Sequence, residues 1–154
     1  MERVWDYPRP PALAPVGKEV EIRFGGRVIA RTDLAWRVME TSHPPVYYLP
    51  PEAFAPGVLV PSGGQGSFCE WKGVAAYWDV VAAGKRAARA GWSYPEPTAR
   101  FESIRDYVAV YAGPMEACLV GGEVVTPQPG GFYGGWITKD LVGPFKGAPG
   151  SAGW

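Results

Sequence analysis

Histidine occurs once in this chain of 154 residues and cysteine twice. That shortage excludes the usual structural zinc site, which takes four cysteine or histidine ligands, and no CxxC redox pair exists. A mixed site of His43, Cys69, Cys118 and a carboxylate gains no support from the spacing, so neither a metal nor a cofactor is expected. There is no excess charge of one sign: lysine plus arginine number 15, as do aspartate plus glutamate. A nucleic-acid-binding surface shows as a basic surplus or cluster, so no nucleic-acid partner is expected. The nearest basic group, Lys85-Arg86 with Arg89, reads as the solvated turn of a hairpin. No apolar run approaches the roughly 18 residues of a membrane span. The opening MERVWDYPRPPALAP also lacks the apolar core of a signal peptide, and the expectation is a cytoplasmic protein with reduced thiols and no membrane partner. Phosphate-cradling and metal motifs are missing too. GGQGS is glycine-rich but no lysine-serine pair follows it, no Asp-x-Asp pair occurs, and there is no nucleophile elbow.

What remains is apolar, aromatic and heavily punctuated. Hydrophobic residues make up 47% of the chain and charged residues 19%, enough for a core and too few charges for a disordered segment. With 21 glycines and 17 prolines, turns must be frequent and strands short. The length fits one domain. Residues 4–17, VWDYPRPPALAPVG, predict an extended arm. EVEIRFGGRVIART then alternates Val20, Ile22 and Phe24 against Glu21 and Arg23, and Gly25-Gly26 can close it as a hairpin. AWRVMET continues as strand until SHPP breaks it, VYYLP is a short strand, and PEAFAPG is a turn or a single helical turn. After the SGGQGS loop, FCEWKG starts strand again and VAAYWDVV extends it. RAARAGWSY returns antiparallel, with Ala88, Ala90, Trp92 and Tyr94 on one face. Thr98 can cap a short helix that buries Phe101 and Ile104. YVAVYAG and MEACLV are strands, and Gly121-Gly122 repeats the hairpin device. The segment from Pro127 onward holds eight glycines with Phe132, Tyr133, Trp136, Phe145 and Trp154 between them. It is read as wrapping over the domain, or alternatively as reaching a second subunit. The expected organisation is an N-terminal arm (1–18), a mainly β core with antiparallel sheets and one short helix (19–126) and a C-terminal extension (127–154).

The candidate site residues cluster at strand ends. In CEWKG the period-two rule sets Cys69 and Trp71 on one face and Glu70 and Lys72 on the other, with Gly73 able to twist the strand end and aim Lys72 inward. Both a core role and a pocket role fit that stretch. A nucleophilic Cys69 would need its pKa lowered, by Lys72 or by His43; Cys118, in an apolar strand, reads as inert core. His43, held ahead of two prolines, suits a ligand hydrogen bond or a general base, and equally a polar turn. Tyr47 and Tyr48 must point to opposite faces. Trp71, Trp92, Tyr94 and one of these tyrosines, Tyr48 in the leading reading, can wall an aromatic pocket, with Lys72, Glu40 or Glu96 supplying polarity.

HPPVYYLP (43–50), CEWKG with AYWDV (69–80), GWSYPEP (91–97) and YVAVYAG (107–113), in this order, resemble the bacterial domain of unknown function 427 family over about residues 19–125. The resemblance implies a β-tent-like fold, in which two antiparallel sheets meet at an angle. Among β-tent proteins are the thalidomide- and uridine-binding domain of cereblon and the B-type methionine sulfoxide reductases. Their zinc rests on paired CxxC motifs that this chain lacks, and the reductase cysteine lies in a different motif from Cys69. The family has also been labelled as nucleotidyl transferases, a label that the missing Asp-x-Asp pair does not support. Three functions follow as expectations. The first is binding of a small, partly planar ligand by Trp71, Trp92, Tyr94 and Tyr48, with Lys72, His43 and Glu40 fixing its polar groups. The second is a thiol-dependent enzyme built on Cys69, and the third is an interaction module, such as a homodimer, assembled through the C-terminal extension.

Overall fold

The computed structural model describes residues 1–64, 66–69 and 71–154. It opens on β1 (Glu2–Arg3) and a 3-10 turn at Val4–Asp6, with Val4 fully buried. The proline-rich opening is more regular than its composition predicts. Residues Ala12–Pro15 form β2, an edge strand, the position where proline's missing N–H costs no ladder bond. β3 (Val20–Phe24) and β4 (Arg27–Thr32) make the anticipated hairpin, and Gly25 and Gly26 take φ of 65° and 75°, as a type I′ turn requires. β5 (Trp36–Met39) and β6 (Val46–Tyr48) join β2 in a three-stranded sheet of order β2-β5-β6. After a 3-10 turn at Pro51–Ala53 come β7 (Leu59–Pro61), β8 (Ser67–Cys69), β9 (Gly73–Ala82) and β10 (Lys85–Ser93). A 3-10 segment at Ala99–Ile104 leads into β11 (Val108–Val110). These strands form a second sheet of order β11-β10-β9-β7, with β8 also on β9. β12 (Ala117–Val120) and β13 (Glu123–Val124) turn through Gly121-Gly122 and complete a third sheet of order β13-β12-β3-β4. The chain belongs to the mainly β class. Among the described residues its helical turns are the three 3-10 segments, and none is long and apolar enough to cross a membrane.

Period-two alternation sorts side chains into two cores on opposite faces of the β9-β10-β11 strands. Val80, Val108 and Val110 join Val20, Ile22, Phe24 and Ile29 in the larger core, beneath the β3-β4 hairpin. Ala75, Trp92 and Ala109 face the other way and meet Tyr48, Tyr94, Phe101 and Ile104. Tyr47 and Tyr48 split as alternation demands, one into each core. Reciprocal backbone bonds between Leu49 and Val108, 2.9 and 2.8 Å, suture the three-stranded sheet to the edge of the five-stranded one.

A bulge interrupts β10. Ala87 pairs with Val80 and Gly91 with Trp78, so Ala88, Arg89 and Ala90 stand opposite Asp79 alone. Arg89 has φ of 52°, and its amide is taken up by Asp79 Oδ1 at 2.8 Å. The expected single face of Ala88, Ala90, Trp92 and Tyr94 is therefore broken: Ala88 is exposed, Ala90 enters the larger core, and only Trp92 and Tyr94 share a cluster.

The C-terminal segment folds back over its own chain. β14 (Thr126–Pro127) pairs with β15 (Trp136–Ile137), and β16 (Leu141–Val142) lies parallel to β1. Trp136 is completely buried, stacks on Tyr47 with centroids 5.0 Å apart, and donates its indole N–H to the Val110 carbonyl at 3.1 Å.

Candidate functional site

Next to the smaller core lies a cavity of about 460 Å3. β6 delivers Tyr48 to it, β10 delivers Trp92 and the residue just past its end, Tyr94, and Tyr111 follows β11. Tyr48 and Trp92 are joined directly, the indole N–H donating to the phenol oxygen at 3.4 Å. Trp92 and Tyr111 rings stand 4.7 Å apart at a tilt of 48°.

CEWKG is not one continuous strand: Cys69 closes β8 and pairs with Gly73, the first residue of β9, and Trp71 and Lys72 are in a turn between them. Period-two alternation has no meaning across such a turn, and the expected separation of Cys69 and Trp71 from Lys72 does not hold: all three line the cavity. Glu70, assigned to the opposite face with Lys72, lies outside the described residues. Gly73 has φ of 103°, and a Cβ there would sit 3.0 Å from the Glu96 carbonyl, so Gly73 lies close against the Glu96-Pro97 backbone. The Thr98 hydroxyl fastens the turn further by donating to the Trp71 carbonyl at 2.6 Å. The expected cap is absent, because Thr98 makes no side-chain bond to its 3-10 segment.

His43 and Glu40 enter from the loop between β5 and β6. The His43 ring nitrogen Nδ1 lies 2.9 Å from the Thr41 carbonyl, which can only accept, so Nδ1 carries the proton and Nε2 is the open acceptor. Burial holds its pKa below the ordinary value, against the opposing pull of that bond and of Glu40. Glu40 itself pairs with Arg9 at 3.2 Å. Burial pushes the Tyr48 and Tyr94 phenols well above their usual range, so both are protonated at neutral pH. Lys72 Nζ stands 5.8 Å from the ring centroids of Tyr94 and Phe101. Cys118 is far into the larger core, its thiol raised to about 12 by burial.

Thus Glu40, His43, Tyr48, Cys69, Trp71, Lys72, Trp92 and Tyr94 line one cavity, whereas Glu96 is exposed and outside it. Residues with no sequence signal for this place come from the C-terminal segment: Gln128, Phe132, Tyr133, Gly134 and Lys146. Tyr133 meets the His43 ring edge-on at 5.0 Å, and Lys146 Nζ lies 5.5 Å from the Tyr133 ring. Gln128 braces this wall, accepting from the Gly135 amide at 3.0 Å and donating to the Lys146 carbonyl at 2.9 Å. Phe68 and Phe132, each 75% exposed, stand at the rim. Among the described residues no group of three or more His, Cys, Asp and Glu side chains could hold a metal ion.

No curated protein matches this chain. Residues 12–121 match the family described as Domain of unknown function (DUF427), which takes in β2 through Gly121 and leaves the C-terminal wall of the cavity beyond the match. With more than half of its length in that match, the chain belongs to the DUF427 family.

Proposed function

We propose that the protein binds a small, partly planar molecule in the cavity walled by Trp71, Trp92, Tyr94 and Tyr48. What supports this reading is convergence. Aromatic faces from β6, β10 and the turn after β8 meet a neutral imidazole acceptor and a lysine ammonium around about 460 Å3, a volume typical of small-molecule sites. Aromatic walls bury ring area, while the few polar groups fix orientation. Thermal unfolding followed by tryptophan fluorescence, across nucleosides, cyclic imides, cofactors and common metabolites, tests it. A ligand at about 100 times its Kd adds about 2.7 kcal/mol. Trp71→Ala should abolish the shift. The idea fails if Trp71→Ala and Trp92→Ala bind every hit as well as wild type.

One observation favours a second reading. Cys69 is half-buried at the same cavity, within reach of whatever occupies it. A thiol-dependent reaction there requires labelling of Cys69 by iodoacetamide to titrate well below about pH 8.5. Slow labelling that rises only above that pH eliminates it.

A further inference from the structure

Resting on the binding reading above, we infer that the ligand is a planar aromatic anion whose charged group is met by Lys72 and Lys146. The inference comes from the charge inventory of the cavity. Three side chains of fixed charge line it among the described residues: Glu40, Lys72 and Lys146. Glu40 is already neutralised by Arg9, which also donates to the Thr41 carbonyl at 3.2 Å. Neither lysine has an Asp or Glu side chain as an ion-pair partner among the described residues. Lys146 gives one N–H to the main-chain oxygen of Trp154 at 2.8 Å and retains two more donors. Lys72 stands beside the rings of Tyr94 and Phe101, an arrangement that holds the ammonium in place without cancelling its charge.

The remaining polar groups add no negative charge. The phenols of Tyr48 and Tyr94 are protonated, and His43 is neutral with Nε2 open. The lining side chains therefore carry a positive surplus in a partly enclosed, aromatic space, where an ion pair is screened less than on the open surface. The complement is a flat ring with a carboxylate or phosphoryl group. The lysines act as point charges and do not impose the planar bidentate geometry of arginine, so both anions are tested.

Titration calorimetry of the full chain with 2-naphthoate, 2-naphthyl phosphate and the neutral isostere 2-naphthamide separates the possibilities. Wild type should bind at least one of the anions about tenfold or more tighter than the amide, with the preference shrinking as salt is raised. Lys72→Gln should reduce the preference to about threefold or less, with the unliganded chain still folded and its unfolding midpoint lowered only slightly by the lost contacts to Tyr94 and Phe101. Lys146→Gln is the second variant, to be read the same way. Which anion binds tighter identifies the charged group. If the amide binds as tightly as the anions, the anion inference is overturned and the aromatic cavity reading stands. If none of the three binds, the inference is likewise overturned, and the neutral compounds of the preceding panel decide the cavity reading separately.

Discussion

Gly134 lies flat against the indole of Trp92: a Cβ at position 134 would fall 2.1 Å from Trp92 Cη2. The contact joins the C-terminal wall to the strand at the centre of the cavity, and it exists because position 134 has no side chain. Gly134→Ala must push that wall outward or rotate Trp92 out of contact with the Tyr48 hydroxyl. Overpacking of this kind costs about 1–3 kcal/mol. The expected result is a lower denaturation midpoint together with an altered tryptophan emission maximum in the native state. Unchanged values for both would show that the wall moves freely.

Trp136 carries a larger share of stability. Fully buried, stacked on Tyr47 and bonded to the Val110 carbonyl, it plugs the larger core from a segment outside the family match. Trp136→Ala should destabilise by about 3–5 kcal/mol, as measured by urea unfolding. The same burial means that a truncation after Thr126 removes core, so light scattering on that variant would report unfolding as well as assembly. Variants at exposed Phe132 keep the core and are the cleaner probe of association.

Local chemistry made much of the fold legible. Paired glycines announced both hairpins, and alternation in VYY sent Tyr47 and Tyr48 to different cores. Errors arose where a pattern was carried across a break in it. Alternation through CEWKG parted Lys72 from Trp71, although the chain turns there, and alternation through RAARAGWSY missed the bulge that Asp79 closes. The β16 partner of β1 and the place of Tyr133 beside His43 depend on contacts between distant parts of the chain, which no local period encodes. That Tyr48, Trp92 and Tyr94 line one cavity was legible because they stand near strand ends close to prolines. Lys146 and Tyr133 were not, because glycines surround them and no repeat marks them.

Thr98 offers a direct test of how the CEWKG turn is held. Its hydroxyl donates to the Trp71 carbonyl, so Thr98→Val removes the bond while keeping the side chain's shape. Thr98 is exposed, and a loss of about 0.5–1.5 kcal/mol is the expected upper range for a hydrogen bond of this type. The more telling readout is hydrogen exchange at residues 71–73. It should accelerate in Thr98→Val and stay near wild type in Thr98→Ser, with exchange in β3 and β4 unaffected.

His43 predicts a pH dependence whose sign follows from its surroundings. Burial lowers its folded pKa, with Lys146 and Arg9 adding repulsion, while the Thr41 carbonyl and Glu40 oppose the shift. The unfolded chain then binds a proton as pH falls through about 6.5, when the folded chain does not yet bind one. Stability is thus fully present above about pH 6.5 and falls below it, at no more than about 1.4 kcal/mol per pH unit, until the folded imidazole protonates. The carboxylates with shifted values do not confuse this window. Glu2 and Glu21 start from 4.5 and Asp79 from 3.8, and their arginine partners and hydrogen bonds hold all three lower, so their contributions are lost only at more acidic pH. Urea midpoints measured between pH 5 and pH 7.5 should therefore decline toward the acid end in wild type and stay nearly level in His43→Gln. A slope that survives the substitution would assign the proton to another group and return His43 to the role of a polar turn residue.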